Sequence, residues 1–123
     1  EVGTSLTVFD AATRAIRKVL PLAGAESAAR PMAMATTPDG ATLLVSTGRG
    51  GGLVEVDIAS LGVKRTINGV GQRPWGLALS ADGKTAYTAN GPGGDVSFVD
   101  VATGAVTRRV KVGDGPWGLA LAN

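Results

Sequence analysis

Five side chains at repeated positions could form a contact surface for a ligand. Arg30 and Arg73 each precede a proline, and Met32, Trp75 and Trp117 each follow one. A guanidinium can hold a carboxylate through two parallel hydrogen bonds, and an indole beside it offers a flat apolar face. These residues are the candidate contacts for a small acidic ligand or a protein at a channel mouth. The competing reading is architectural, because a residue that returns with a repeat usually packs one unit against the next. Gly115 stands where a third arginine would be.

Other chemistry lacks its groups. The chain contains no histidine and no cysteine. That removes thiolate metal sites, a cysteine nucleophile, the commonest general base and the commonest metal ligand. Ser5, Ser27, Ser46, Ser60, Ser80 and Ser97 have no histidine to activate them. Glu26 and Glu55 break the repeat pattern singly, with no partner visible. Asp10, Asp39, Asp57, Asp82 and Asp100 are spread along the chain, whereas a calcium loop needs several oxygens from one short segment. They read as caps of their own turns. The run Gly48-Arg-Gly-Gly-Gly52 lacks the Gly-Lys-Ser/Thr ending of a phosphate loop and reads as a connection. No catalytic, cofactor-binding or metal residue is assigned, and no cofactor is expected.

The elements that position these residues come from an internal repeat. Pro31, Pro74 and Pro116 are spaced by 43 and 42 residues, while Gly40 to Gly83 and Asp57 to Asp100 are each spaced by 43. A common step shared by unrelated residue types marks a structural repeat. In the clearest copy, 75–80, 85–89, 95–100 and 105–112 read as four short strands. Ser80-Ala-Asp-Gly-Lys84 is a tight turn with Gly83 at positive φ, and 90–94 is a longer loop. Four antiparallel strands in about 42 residues make one blade of a β-propeller. Gly76, Ala78, Gly118, Ala120, Ala33 and Ala35 would let the innermost strands crowd the axis, with Leu77 and Leu79 filling the gap between blades.

The expected fold class is therefore all-β, a propeller segment of about two and two-thirds blades. Residues 1–29 give the third and fourth strands of a partial blade, at 5–10 and 13–20, plus an Ala-rich linker over 22–29. Residues 30–72 and 73–114 are blades, and 115–123 is the first strand of a shared blade whose second strand is missing. Rings usually close with 4–8 blades. An isolated arc would leave two apolar flanks bare. The expected partners are thus other copies of the chain, or the remainder of a larger propeller. Two copies would give about six blades and three about eight.

The repeat resembles the YVTN family of β-propeller repeats. Pro74, Ser80, Asp82, Gly83, Lys84, Tyr87, Asn90, Val96, Asp100, Thr103 and Gly104 carry the resemblance. The preceding repeat departs from it, with Ala41 for the lysine, Leu44 for the tyrosine and Gly48 for the asparagine. The resemblance implies a propeller, with secreted or periplasmic location. Members of the family include surface-layer proteins, and related propellers include lactonase-like enzymes and the large subunits of quinoprotein and haem d1 enzymes. The reading taken here is a non-catalytic scaffold or binding module. The alternative is the propeller portion of such an enzyme, with catalytic groups outside this chain.

Charge and hydropathy narrow the partners. A net charge of +2 gives little support to nucleic-acid binding. No apolar run approaches the ~20 residues of a membrane span. The chain opens at Glu1 without methionine, as a processed chain or a piece of a longer one does, so the missing leader does not argue for the cytoplasm. Arg14, Arg17, Lys18, Lys64, Arg65, Arg108, Arg109 and Lys111, eight of the twelve basic residues, fall in the fourth-strand segments. They read as charges that keep an exposed edge from pairing with other strands, or as a docking surface for an acidic partner.

Overall fold

The structure, a computed structural model, describes residues 3–22 and 28–122. Ten strands form three antiparallel sheets among these residues. The first sheet pairs β1 (Ser5–Phe9) with β2 (Ile16–Pro21). The second runs β3 (Met34–Thr36), β4 (Thr42–Ser46), β5 (Leu53–Asp57), β6 (Gly62–Ile67). The third runs β7 (Pro74–Leu79), β8 (Thr85–Asn90), β9 (Asp95–Asp100), β10 (Val106–Lys111). Within each complete sheet the spatial order equals the chain order, so each is an up-and-down blade with its basic strand at one edge. The fold is the all-β propeller segment that the repeat implied.

Local chemistry explains the turns. Asp39 and Asp82 each accept a hydrogen bond from the backbone N–H two residues on, at 3.0 Å, and Gly40 and Gly83 take φ of 70° and 71°. Asp10, Asp57 and Asp100 do the same between third and fourth strands, accepting from the N–H of Thr13, Ser60 and Thr103 at 2.7–2.8 Å. Asp10, Asp57 and Asp100 are held below their ordinary range chiefly by these backbone bonds, and Asp39 and Asp82 chiefly by the hydroxyls of Thr37 and Ser80.

Two apolar clusters glue the sheets. Leu20 and Leu22 pack with Val45, Val54 and Val56 between the first and second sheets. Leu44, Leu53, Ile67 and Val70 pack with Ala86 and Val99 between the second and third, with Leu77 and Leu79 joining from β7. Alternation on the strands explains this sharing: each sheet shows one apolar face to the blade before it and the other to the blade after. Ser97 and Val99 are buried on one side of β9, while Val96 and Phe98 face the other.

Several boundaries differ from the sequence reading. The fourth strand of the partial blade begins at Ile16 rather than residue 13, because Asp10 to Arg14 are spent on the capped turn. Residues 116–122 lie in no ladder. The backbone there runs against β7, where a β-carbon on Gly76 would come within 2.9 Å of Gly118 Cα. A strand needs a hydrogen-bonded neighbour, and none of the described residues forms a ladder with this segment. Within the loop 48–52, Gly48–Gly50 forms a 3-10 turn. Of the expected linker, residues 23–27 lie outside the described residues, and Glu26 and Ser27 with them.

The counterpart of Asn90 also moves. Asn90 donates through Nδ2 to Asp95 at 2.6 Å, closing the loop between second and third strands. Thr47 does that in the preceding blade, its Oγ1 bonding the carbonyl and N–H of Gly52 at 2.9 and 3.0 Å. Thr47, not Gly48, therefore stands for the asparagine, as an unbroken 43-residue step requires.

Candidate functional site

The tryptophan-bearing segments lie side by side. The rings of Trp75 and Trp117 have centroids 4.6 Å apart and are tilted by 46°. The guanidinium carbon of Arg73 sits 5.7 Å from the Trp75 ring centre, in cation–π range. Arg73 takes φ of 51°, which is costly for a side chain with a β-carbon. Its carbonyl accepts the N–H of Gly91 at 3.3 Å, which draws the 91–94 loop over the indole. Trp75 Nε1 is buried without a hydrogen-bond partner among the described residues. A buried N–H left so costs ~1–3 kcal/mol, which an acceptor brought by a ligand or water would recover.

Trp75 is half-buried, whereas Trp117 is 68% exposed. The pair forms an apolar ledge at the inner strand of the third sheet, with a cation over one end. The carbonyl of the Trp75 residue also accepts from Ser46 Oγ at 3.4 Å, so the ledge is tied to the second sheet.

Arg73, Trp75 and Trp117 are thus brought together. Arg30 and Met32 are held in other ways. The Arg30 guanidinium donates to the Ala29 carbonyl at 2.9 Å. Met32 is anchored through its backbone, its N–H donating to the Ser46 carbonyl at 3.0 Å. The repeat equivalence of Met32 and Trp75 is one of position.

The basic strands hold the feature that sequence reasoning missed. Lys18 Nζ donates to the Leu61 carbonyl of the second sheet at 2.8 Å. Arg65 donates to the carbonyls of Val101 and of Ala102, the latter at 3.0 Å, both in the turn between third and fourth strands of the third sheet. It also pairs with Glu55 at 2.7 Å, a carboxylate only 5% exposed, which raises the Arg65 pKa further. These cations therefore do more than blunt an edge: they reach across to the next blade. Glu55 does have a partner, directly opposite it in the β5–β6 register.

Blades with inner, crowded strands and outer, cation-bearing ones define a β-propeller segment. No family model matches the chain, and no curated protein matches it. Solved structures do. Hydrazine synthase of Kuenenia stuttgartiensis is similar at 28% identity and TM-score 0.68, over 78% of this chain and 27% of that one. The β-propeller domain of Cps50 (Swd1) from Myceliophteria thermophila is similar at 22% identity and TM-score 0.63, over 72% and 28%. A functionally unknown protein from Desulfotomaculum acetoxidans is similar at 13% identity and TM-score 0.75, over 96% and 38%. The chain spans between about a quarter and two-fifths of the length of these structures.

Proposed function

We propose that the chain is a non-catalytic blade module of a secreted or periplasmic YVTN-type propeller. It contributes rigid sheets to a ring and offers the Trp75–Trp117 ledge, with Arg73, to an acidic ligand or protein segment. One observation carries this reading: the polar side chains that might have done chemistry are spent on the scaffold. The turn aspartates accept from their own backbone, and Lys18 and Arg65 donate to neighbouring carbonyls. The aromatic ledge is the group the scaffold does not use up.

The test is titration of tryptophan fluorescence with succinate and with short acidic peptides. Saturable quenching that is lost in Trp117→Ala and weakened in Arg73→Gln supports binding at the ledge. Turnover of a lactone by the purified chain would overturn the non-catalytic reading.

A second reading follows from the 28% identity to hydrazine synthase. There the chain is the propeller portion of an enzyme whose catalytic groups lie in other segments. Co-purification of a bound chromophore with a longer polypeptide containing this segment would favour it.

A further inference from the structure

The contact between the second and third sheets is half of a pattern whose other half is open. Moving 43 residues along the chain carries Leu44 to Tyr87, Leu53 to Val96, Glu55 to Phe98, Arg65 to Arg108 and Ile67 to Val110. Leu44, Leu53 and Ile67 are buried by the third sheet at 0, 0 and 5% exposure. Tyr87, Val96, Phe98 and Val110 are only half-buried, because no sheet among the described residues packs on that face of the third sheet. Arg108, on β10, lies 5.6 Å over the Phe98 ring and holds the same repeat position as Arg65 on β6. Arg65 uses that position to hold the carbonyls of Val101 and Ala102, next to the carboxylate of Asp100.

The opposite flank offers the complement. Phe9 is 61% and Ile16 is 67% exposed, while the residue at the place of Phe9 in the later blades, Val56 or Val99, is 2 or 0% exposed. The turn there is built as its counterpart at 100–104 is. Asp10 accepts from Thr13 N–H at 2.8 Å and Thr13 Oγ1 at 3.0 Å, as Asp100 does from Thr103 at 2.7 and 2.9 Å. Ala11 and Ala12 occupy the places of Val101 and Ala102. The N-terminal flank therefore carries an acidic turn with the carbonyls of Ala11 and Ala12, and the C-terminal flank carries a guanidinium lying over the Phe98 ring.

We infer that the partner covering the third sheet is a second copy of this chain, docked head to tail through its β1–β2 hairpin. Arg108 of one copy donates to the Ala11 and Ala12 carbonyls of the other, beside Asp10. Tyr87, Val96, Phe98 and Val110 cover the face that bears Phe9 and Ile16. The contact is heterologous, so it generates a ring when the rotation closes. This inference rests on the reading of the chain as part of a ring, and it names the ring's next member.

The chain is free of cysteine, which allows a direct test. Chains bearing Arg108→Cys and chains bearing Ala12→Cys are mixed and treated with a short bismaleimide. The expected result is a crosslinked dimer formed in the mixture and in neither protein alone. Sedimentation should show concentration-dependent assembly, with Arg108→Ala raising the dissociation constant about tenfold or more at unchanged melting temperature of the dissociated chain. Arg109→Ala should leave assembly intact, since Arg109 already donates to Gly69 of its own chain at 3.0 Å. Assembly without the mixed adduct overturns the Arg108 contact while sparing the ring reading. A chain that stays monomeric at every concentration overturns the second copy as partner.

Discussion

Gly91 lies flat against the ring of Trp75, so that a β-carbon at residue 91 would overlap the indole. The glycine is therefore the floor of the aromatic ledge. Gly91→Ala must push the ring away, and with it the contact to Trp117 4.6 Å away. Overpacking of this kind costs ~1–3 kcal/mol. The expected outcome is a lower urea midpoint together with a red-shifted tryptophan emission. Gly3→Ala, at a position with nothing within 4 Å, should change neither.

Arg65 is expected to be the costliest basic residue to remove. Arg65→Ala strands Glu55, 5% exposed, and deletes the bonds to Val101 and Ala102. Loss of bonds to a charged group with a carboxylate left buried should cost ~2–4 kcal/mol. Glu55→Gln keeps an acceptor for the guanidinium and should cost less. Chemical denaturation of both variants gives the order, and an Arg65→Ala loss smaller than that of Glu55→Gln would sink the argument.

The turn between third and fourth strands places a residue in the left-handed region each time. Arg14 has φ of 61°, Leu61 of 52° and Gly104 of 75°. Only Gly104 is free of the β-carbon penalty. Its added β-carbon would stand 3.3 Å from the buried Ile67. Gly104→Ala should thus lose ~1–2 kcal/mol through strain and crowding. Arg14→Gly relieves the same strain at an exposed site and should not destabilise. Thermal melts of the two variants should move apart.

Acid should weaken the fold in a defined window. Asp10, Asp57 and Asp100 are held below the ordinary carboxylate range, chiefly by backbone N–H bonds from Thr13, Ser60 and Thr103. Asp39 and Asp82 are lowered chiefly by the hydroxyls of Thr37 and Ser80. Carboxyls more acidic folded than unfolded stabilise fully above about pH 5, and that stability falls as pH drops through about 4 and below. Urea midpoints between pH 7 and pH 3 should be flat and then fall. Asp82→Asn should reduce the steepness of the fall, because one titrating cap is gone.

How much of this was legible in sequence depends on whether the information is local. The 43-residue step needs only residue types, and it locates both complete blades and the Asp-Gly turns. The pairing of Glu55 with Arg65 was hidden because the ladder shifts register between Glu55 and Val56, so counting outward from the turn misplaces the partner. The reach of Lys18 and Arg65 into the next blade depends on how sheets stack, which strand periodicity does not encode. Repeat equivalence sets the segments of Trp75 and Trp117 side by side, but the contact between their rings depends on side-chain packing that it does not encode. The different anchoring of Arg30 and Met32 depends on bonds to the Ala29 and Ser46 carbonyls, and those leave no mark in composition.

The links between sheets are unequal in strength, and this sets an order of local opening. Lys18 fastens the first hairpin to the second sheet through a single ammonium bond. Arg65 fastens the second sheet to the third with a planar fork and a buried counter-ion. Where units touch only their neighbours, the weakest joint yields first. Backbone amides of β1 and β2 should then exchange with deuterium well before those of β4, β5 and β8, so the chain would come apart from its amino-terminal side.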